Sequence, residues 1–592
     1  VTCVIKPSKN NIIYVSAKGD ADATGESWDK ATSLLQSAIN IAGRTHADVY
    51  VAAGTYYGDT LGQNAFTMIE GVNVYGGFAG TEKSPSERNL KKNKTILSGQ
   101  GKQRVLRQMS HFTDSTMTVW DGFVIQDGST RTDEMSNGIG AWLMDYSALV
   151  NCEIKDNLAY KNIFGFGVYI NDAPHSRLEN CLIHHNGPAL NTNNEFVCSG
   201  GGTAVGFSGS GNMINCTVTD NESYNTDAAV DIRNRGKVNI VNSIIVGNKN
   251  FNGSRNPKTP KNIIVSGNSV LSSSHCAIDG VYYGEGNIYI NASDLNADYS
   301  LKSTSSCIDA GMQVDLLDAI DTYGNKRVQG KSIDIGAIES SWSRVITPSA
   351  NNIIYVSENG KETATGSSWE DATNLLQTAI NVASRTGADV YVTAGTYKGD
   401  TASVYAFVMG EGVNVYGGFT GTETSPSERN LKLNKSVLTG QNKQHVLCQK
   451  TNFTDSTFSV WDGFVIRDGM TRSRDDNRGV GVWMKENSAL INCEITNNTV
   501  LYSGNCGGGV YIDQAENSRI ENCIFHHNYD YGGWLFGGYG CALYVEKGGK
   551  MINCTIVDNI SKSGSYIVEL GPNGMFEIAN TIIYGNKNYE LG

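Results

Sequence analysis

Short apolar runs with a period of two recur along the whole chain, each bounded by Gly or Asn: VNVYGGF from Val72, TVWDGFVIQDG from Thr118, GGGVYI from Gly507 and MINCTIVDN from Met551. Alternate positions share one face of a strand, so the pattern predicts many short strands joined by tight corners. Helical spacing stands out in one segment ahead of the strands and in its repeat. Leu34, Leu35, Ala38, Ile39 and Ala42 form one apolar stripe, with Ser33 and Gln36 as a capping box, and Asn374, Leu375, Leu376, Gln377, Ala379, Ile380 and Ala383 repeat it.

The strands belong to a duplication. Asn10 to Asp59 matches Asn351 to Asp400 at a constant offset of 341, with 35 of 50 positions identical. The register persists through Trp120 and Trp461, Cys152 and Cys493, Cys181 and Cys523, and Cys216 and Cys554. Within copy one a shorter unit recurs as NCEI, NCLI, NCTV and NSII from Asn151, Asn180, Asn215 and Asn242. Copy two repeats it from Asn492, Asn522, Asn553 and Asn580. A unit of about 30 residues cannot bury its own apolar face, so successive units must stack into a β-solenoid of roughly ten coils per copy. The recurrent Asn suits either a left-handed corner or a stacked amide ladder. A second helix in mid-chain says that a second solenoid starts afresh, the helix covering its open end. The expected organisation is an N-terminal segment 1–9, a first domain 10–342, a linker 343–350 and a second domain 351–592. Copy two has no counterpart of Lys249 to Glu339. The sequence therefore predicts closing coils beyond Gly592, or a partner over that end.

Composition narrows the classes. With 40% hydrophobic residues, 67 Gly and only 9 Pro, the chain is folded and rich in turns. A net charge of −12 without a basic run excludes nucleic acid as a partner. No run of 18 apolar residues predicts a membrane-spanning helix.

IIYVSAKGDADATGESWDKATSLLQSAINIA with DVYVAAGTY, the GGGVYI and INCTIVDN runs, and SCIDAGMQVDLLDAIDTYGNKRVQGKSIDIGAIE from Ser306 to Glu339 together resemble bacterial surface or secreted proteins of the right-handed parallel β-helix family, adhesin-like and polymorphic outer-membrane-protein-like. The resemblance implies an all-β fold of two tandem right-handed parallel β-helices, each with an N-terminal capping helix. It further implies that Ser306 to Glu339 forms a closing coil, and that the protein sits outside the cell or on the bacterial surface.

Candidate chemistry follows from register. Cys152, Cys181, Cys216, Cys493, Cys523 and Cys554 read as an inward ladder of free thiols. His184–His185 and His526–His527 fall in equivalent HHN triplets; neighbours on a strand face opposite sides, so neither pair chelates one ion easily, and both read as polar turn residues. With Val510 and Ile512 inward, Tyr511 points outward, and the same alternation turns Trp142, Tyr169, Trp483 and Tyr544 outward, Gly206 breaking the column in copy one. Asp231 and Glu569 fill the next outward rung. Stacked rings beside a carboxylate suit a glycan platform. Asp127, Arg131, Asp133 and Glu134, with Asp468, Arg472, Asp475 and Asp476 in copy two, mark the loops where a lyase would keep its base and its acids, with Ca²⁺ as the one conceivable cofactor. The expected function is a rigid, non-catalytic, surface or secreted binder of an extracellular glycan or surface protein. A polysaccharide lyase or glycoside hydrolase working along the outward sheet is the alternative.

Overall fold

A computed structural model describes the chain from residue 4 to 589, apart from 60–61, 114–116, 130–136, 161–162, 191–201, 225–227, 252–256, 259–261, 280–283, 402, 455–456, 471–477, 502–506, 532–539, 563–565 and 572–574. It divides into two compact units, Val1–Ser303 with Cys307–Ser343, and Thr304–Ser306 with Arg344–Gly592.

Each unit is a parallel β-helix. In unit 1 the chain lays down Thr118–Asp121 on a first sheet, Phe123–Gln126 on a second and Ala141–Leu143 on a third, then returns to the first at Ser147–Val150. Strands one coil apart pair in parallel, as Leu149 with Leu178 and Ile154 with Ile183. Among the described residues the three sheets hold nine, eight and seven strands in unit 1, and eight, seven and six in unit 2. Among the described residues this makes nine and eight coils where roughly ten were expected, a stack of roughly 35 to 40 Å at about 4.8 Å per coil.

The shortfall in unit 1 has a cause. Residues 306–339 were expected to close the solenoid as a coil, and they do not. The segment lacks a period of two and is rich in Asp and Gly. It is tied to the Asn242 coil at Met312, runs along the corner between the first and second sheets to Asp318, and returns to the Asn242 coil through Gly336. It is a strap over a corner.

The helices α1 (Leu35–Thr45) and α2 (Leu376–Thr386) bury Leu35, Ala38, Ile39 and Ala42, and Leu376, Ala379, Ile380 and Ala383. The capping box is absent. The N-cap residues are Leu34 and Leu375, neither making a side-chain cap bond. The amide of Gln36 is drawn instead to the Thr67 backbone, and that of Gln377 to Val408. An edge strand offers these amides both a donor and an acceptor, which the open helix turn does not.

Both readings of the recurrent Asn are realised, by different residues. Asn151, Asn180, Asn215 and Asn242 turn the corner with φ near 50°. Asn157, Asn186, Asn221 and Asn248 form a buried ladder with Nδ2 to Oδ1 distances of 2.9 to 3.0 Å. The six ladder cysteines are buried free thiols, and Cys276 extends the column past Ser243.

Candidate functional site

The outward column lies on the third sheet with the register expected. Trp142 pairs with Tyr169, Tyr169 with Gly206 and Gly206 with Asp231; in unit 2 Trp483 pairs with Tyr511, Tyr511 with Tyr544 and Tyr544 with Glu569. Parallel pairing in register leaves these side chains one coil apart although the loops between them differ in length.

Exposure divides the column. Trp142, Trp483, Tyr544 and Glu569 are half-buried. Tyr169, Tyr511 and Asp231 are buried, at 6%, 2% and 0% exposure, against the expectation of an open stripe. Neighbouring side chains cover them. Tyr169 stands edge-on between Trp142, 5.1 Å away, and Phe164, 5.8 Å away. Phe164 fills the gap at Gly206, where a Cβ would lie 2.7 Å from its ring. Asp231 accepts from Arg233 Nε at 2.9 Å, and that guanidinium covers Phe164 at 4.6 Å. Tyr511 stacks on Tyr544 at 5.4 Å and 10°, and its hydroxyl donates to Glu546. Burial and this bond together push the Tyr511 phenol well above its ordinary value. Burial also raises the Glu569 carboxyl.

Cations flank the rings, and the sequence reading missed them. Arg104 and Arg107 lie 5.0 and 4.6 Å from the Trp142 ring centre. Arg104 donates to the carbonyls of Asn137 and Gly138 and to Asn64, and burial with the neighbouring Arg107 pushes it down to about 9. Among the described residues neither arginine has a carboxylate partner, and Arg107 Nε is buried without an acceptor. In unit 2 Arg478 covers Tyr511 at 5.4 Å and Lys485 covers Trp483 at 5.2 Å, both paired with Asp513 at 3.6 and 3.0 Å. The indole N–H groups of Trp142 and Trp483 are buried without an acceptor among the described residues. Arg107 was within reach of the sequence, since it pairs with Trp142 one coil earlier in the same column.

Of the lyase candidates, Asp127 and Asp468 hold left-handed corners with φ of 57° and accept from Ser98 and Thr439. Arg131, Asp133, Glu134, Arg472, Asp475 and Asp476 lie outside the described residues. Among the described residues no three His, Cys, Asp or Glu side chains gather as metal ligands.

The histidine pairs depart from the strand-alternation reading. His185 and His527 have φ of 52°, which turns each ring back beside its neighbour. The two Nδ1 atoms meet at 2.7 Å in unit 1 and 2.8 Å in unit 2, and the first ring of each pair also reaches Glu153 or Glu494.

A family model described as a right handed beta helix region matches residues 437–591. No curated protein matches the chain. Solved structures similar in winding include a pectate lyase (13% identity, 57% of this chain and 100% of that one, TM-score 0.27). The A-module of a mannuronan C-5 epimerase from Azotobacter vinelandii shares 9% identity over 93% and 94%, with a TM-score of 0.23. A surface adhesin of Streptococcus pneumoniae shares 10% over 96% and 93%, with a TM-score of 0.21. No helix among the described residues is long and apolar enough to cross a membrane.

Proposed function

We propose that the protein is an extracellular or surface-displayed β-helix binder of glycans, which it holds along the third sheet of each unit without chemical change. The observation that carries this reading is that Trp142 and Trp483, unlike the core Trp120 and Trp461 whose indoles also lack acceptors among the described residues, lie half-exposed on the outward face, each beside a second aromatic ring and under a cation. Pyranose rings offer an apolar face to stack and hydroxyls to accept from a buried donor, and both needs are met here. In unit 1 Arg107, which has no carboxylate partner among the described residues and no acceptor on its Nε, favours an acidic sugar, whose carboxylate a guanidinium recognises with two parallel bonds.

A glycan array probed with the full chain tests the reading. Trp142→Ala should lower retention of acidic glycans, and Trp483→Ala that of the ligands of unit 2, each by about tenfold with little change in the melting temperature. Retention unchanged in both variants would return the rings to a purely structural role. Release of unsaturated or new reducing ends from the retained glycan would replace binding by lyase or hydrolase chemistry.

A further inference from the structure

The strap of unit 1 covers a corner whose chemistry is duplicated, uncovered, in unit 2. In unit 1 Asp318 Oδ2 sits between Arg88 Nη2, at 3.3 Å, and Asn151 Nδ2, at 3.1 Å, both of which also hold Asp121. One coil on, Glu179 Oε1 accepts from the Leu317 and Asp318 amides, and Asn180 Nδ2 donates to Ile320. Tyr323 lies against Lys91 and Lys94, at 5.0 and 5.2 Å, and Ala337 and Ile338 pack on Leu182 while the Ala337 amide donates to Thr217.

Unit 2 keeps the seat. Arg429 Nη2 holds Asp462 at 2.9 Å, and Asn492 Nδ2 holds the same carboxylate at 2.9 Å. Lys432, Lys435, Glu521, Asn522 and Thr555 stand where Lys91, Lys94, Glu179, Asn180 and Thr217 stand. What differs is cover. Leu182 is 1% exposed, whereas its counterpart Ile524, in mid-stack between the Ile495 and Ile556 coils, is 46% exposed. Glu179 is fully buried beside Arg177, whereas Glu521 beside Arg519 is 25% exposed. The Asn522 amide, lacking a strap carbonyl, turns to Asn492.

We propose that this corner of unit 2 is a docking groove for a second polypeptide strap, supplied from outside residues 351–592, with the chemistry of Asp309 to Glu339. That strap would bring a carboxylate to Arg429 and Asn492, extended backbone to Glu521 and Asn522, an aromatic ring to Lys432 and Lys435, and a small apolar tail to Ile524. The occupant is a polypeptide because the seat presents backbone-matching amides and carboxylates at successive coils, the groups that a strap satisfies in unit 1. The acidic strap of unit 1 meets four cations there, and Arg429, Lys432, Lys435 and Arg519 preserve that complementarity. The inference rests on the duplication alone and stands or falls apart from the glycan reading.

The test uses the full chain, whose unit 1 already holds its own strap, and a fluorescent synthetic peptide of residues 306–340 with Cys307→Ser. One peptide should bind per chain. Ile524→Lys, at an exposed position that folding tolerates, should weaken binding by about tenfold or more, as should Asp318→Lys in the peptide. A photo-crosslinker at the Tyr323 position should label the stretch around Lys432 and Lys435. Absence of saturable binding, equal binding to Ile524→Lys, or crosslinks confined to Lys91 and Lys94 would overturn the proposal. A concentration-dependent dimer that Ile524→Lys dissociates would also overturn it, giving the groove to a second copy.

Discussion

Cys181 and Asn186 flank the strand Leu182–His184 at two different corners of one coil, and their chemistry predicts opposite tolerance. Asn186 Nδ2 donates to Ile154, His184 and Asn221, while its Oδ1 accepts from the backbone and side chain of Asn157. All of this happens at 1% exposure. Asn186→Ala strands buried partners above and below, which should cost about 3 kcal/mol or more in urea unfolding. Cys181 makes only weak thiol bonds to Leu149 and Glu179, and unit 1 already carries Ser243 in the same column. Cys181→Ser should therefore cost about 1 kcal/mol or less. Burial pushes the Cys181 thiol well above its ordinary value, so it should resist alkylation in the folded protein at pH 8. Equal destabilisation by the two substitutions would show that the amide ladder is not a principal stabiliser.

Among the elements, the strap of unit 1 couples to pH. Burial and the adjacent charge of Asp121 raise Asp318 from 3.8 to about 7 against the pull of Arg88, and burial with Asp334 raises Glu339 to about 8. The other charged groups facing Asp318 are Glu179, itself raised by burial, and Arg177 beside it. A carboxyl raised in the folded state holds its proton more tightly there than in the unfolded chain, so docking gains stability as pH falls from about 8 to about 5. Burial also acts to raise Glu153, but bonds from His184 and Lys94 outweigh it and hold the carboxyl low. Its contribution is lost only below about pH 4, outside that window. Hydrogen exchange over residues 311–324, corrected for intrinsic rates, should be slower at pH 5.5 than at pH 8, and Asp318→Asn should flatten the difference. A pH-independent wild-type strap would refute the coupling. The resemblance marked Ser306 to Glu339 as a closing segment, but nothing in the sequence announced its path as a strap. Its partners include Asn242, Glu179 and Arg88, 70 to 230 residues away, and its Asp and Gly pattern carries no strand or helix period.

At the scale of the molecule, a period of two and an almost constant offset made the solenoid, its duplication and the whole aromatic register legible, because strand alternation between recurring Asn corners fixes which residues stack. Less legible was what lies beside the column. Tyr511 reads as exposed by alternation, yet Glu546 and Tyr544 bury it. His185 reads as facing away from His184, yet a left-handed corner brings it back. The duplication also hides a divergence at the head of the column. QRVLRQ in copy one becomes QHVLCQ in copy two, so Arg104 and Arg107 are replaced by His445 and Cys448. Among the described residues Arg104 and Arg107 of unit 1 have no carboxylate partner, whereas Arg478 and Lys485 of unit 2 share Asp513, which offsets one of their two charges. If the third sheets bind glycans, unit 1 should hold acidic chains through charge, and unit 2 should hold its ligand mainly by stacking. Screening over about 8 Å at physiological salt weakens the first far more than the second. Binding of an oligouronate to the full chain should fall steeply between about 0.05 and 0.5 M NaCl, since Coulomb attraction is screened over that range. Arg107→Gln should flatten that slope, and Trp483→Ala should leave it unchanged while removing the salt-insensitive binding of neutral oligosaccharide. Salt slopes identical in wild type and Arg107→Gln would show that the arginines at the head of the column serve the fold alone.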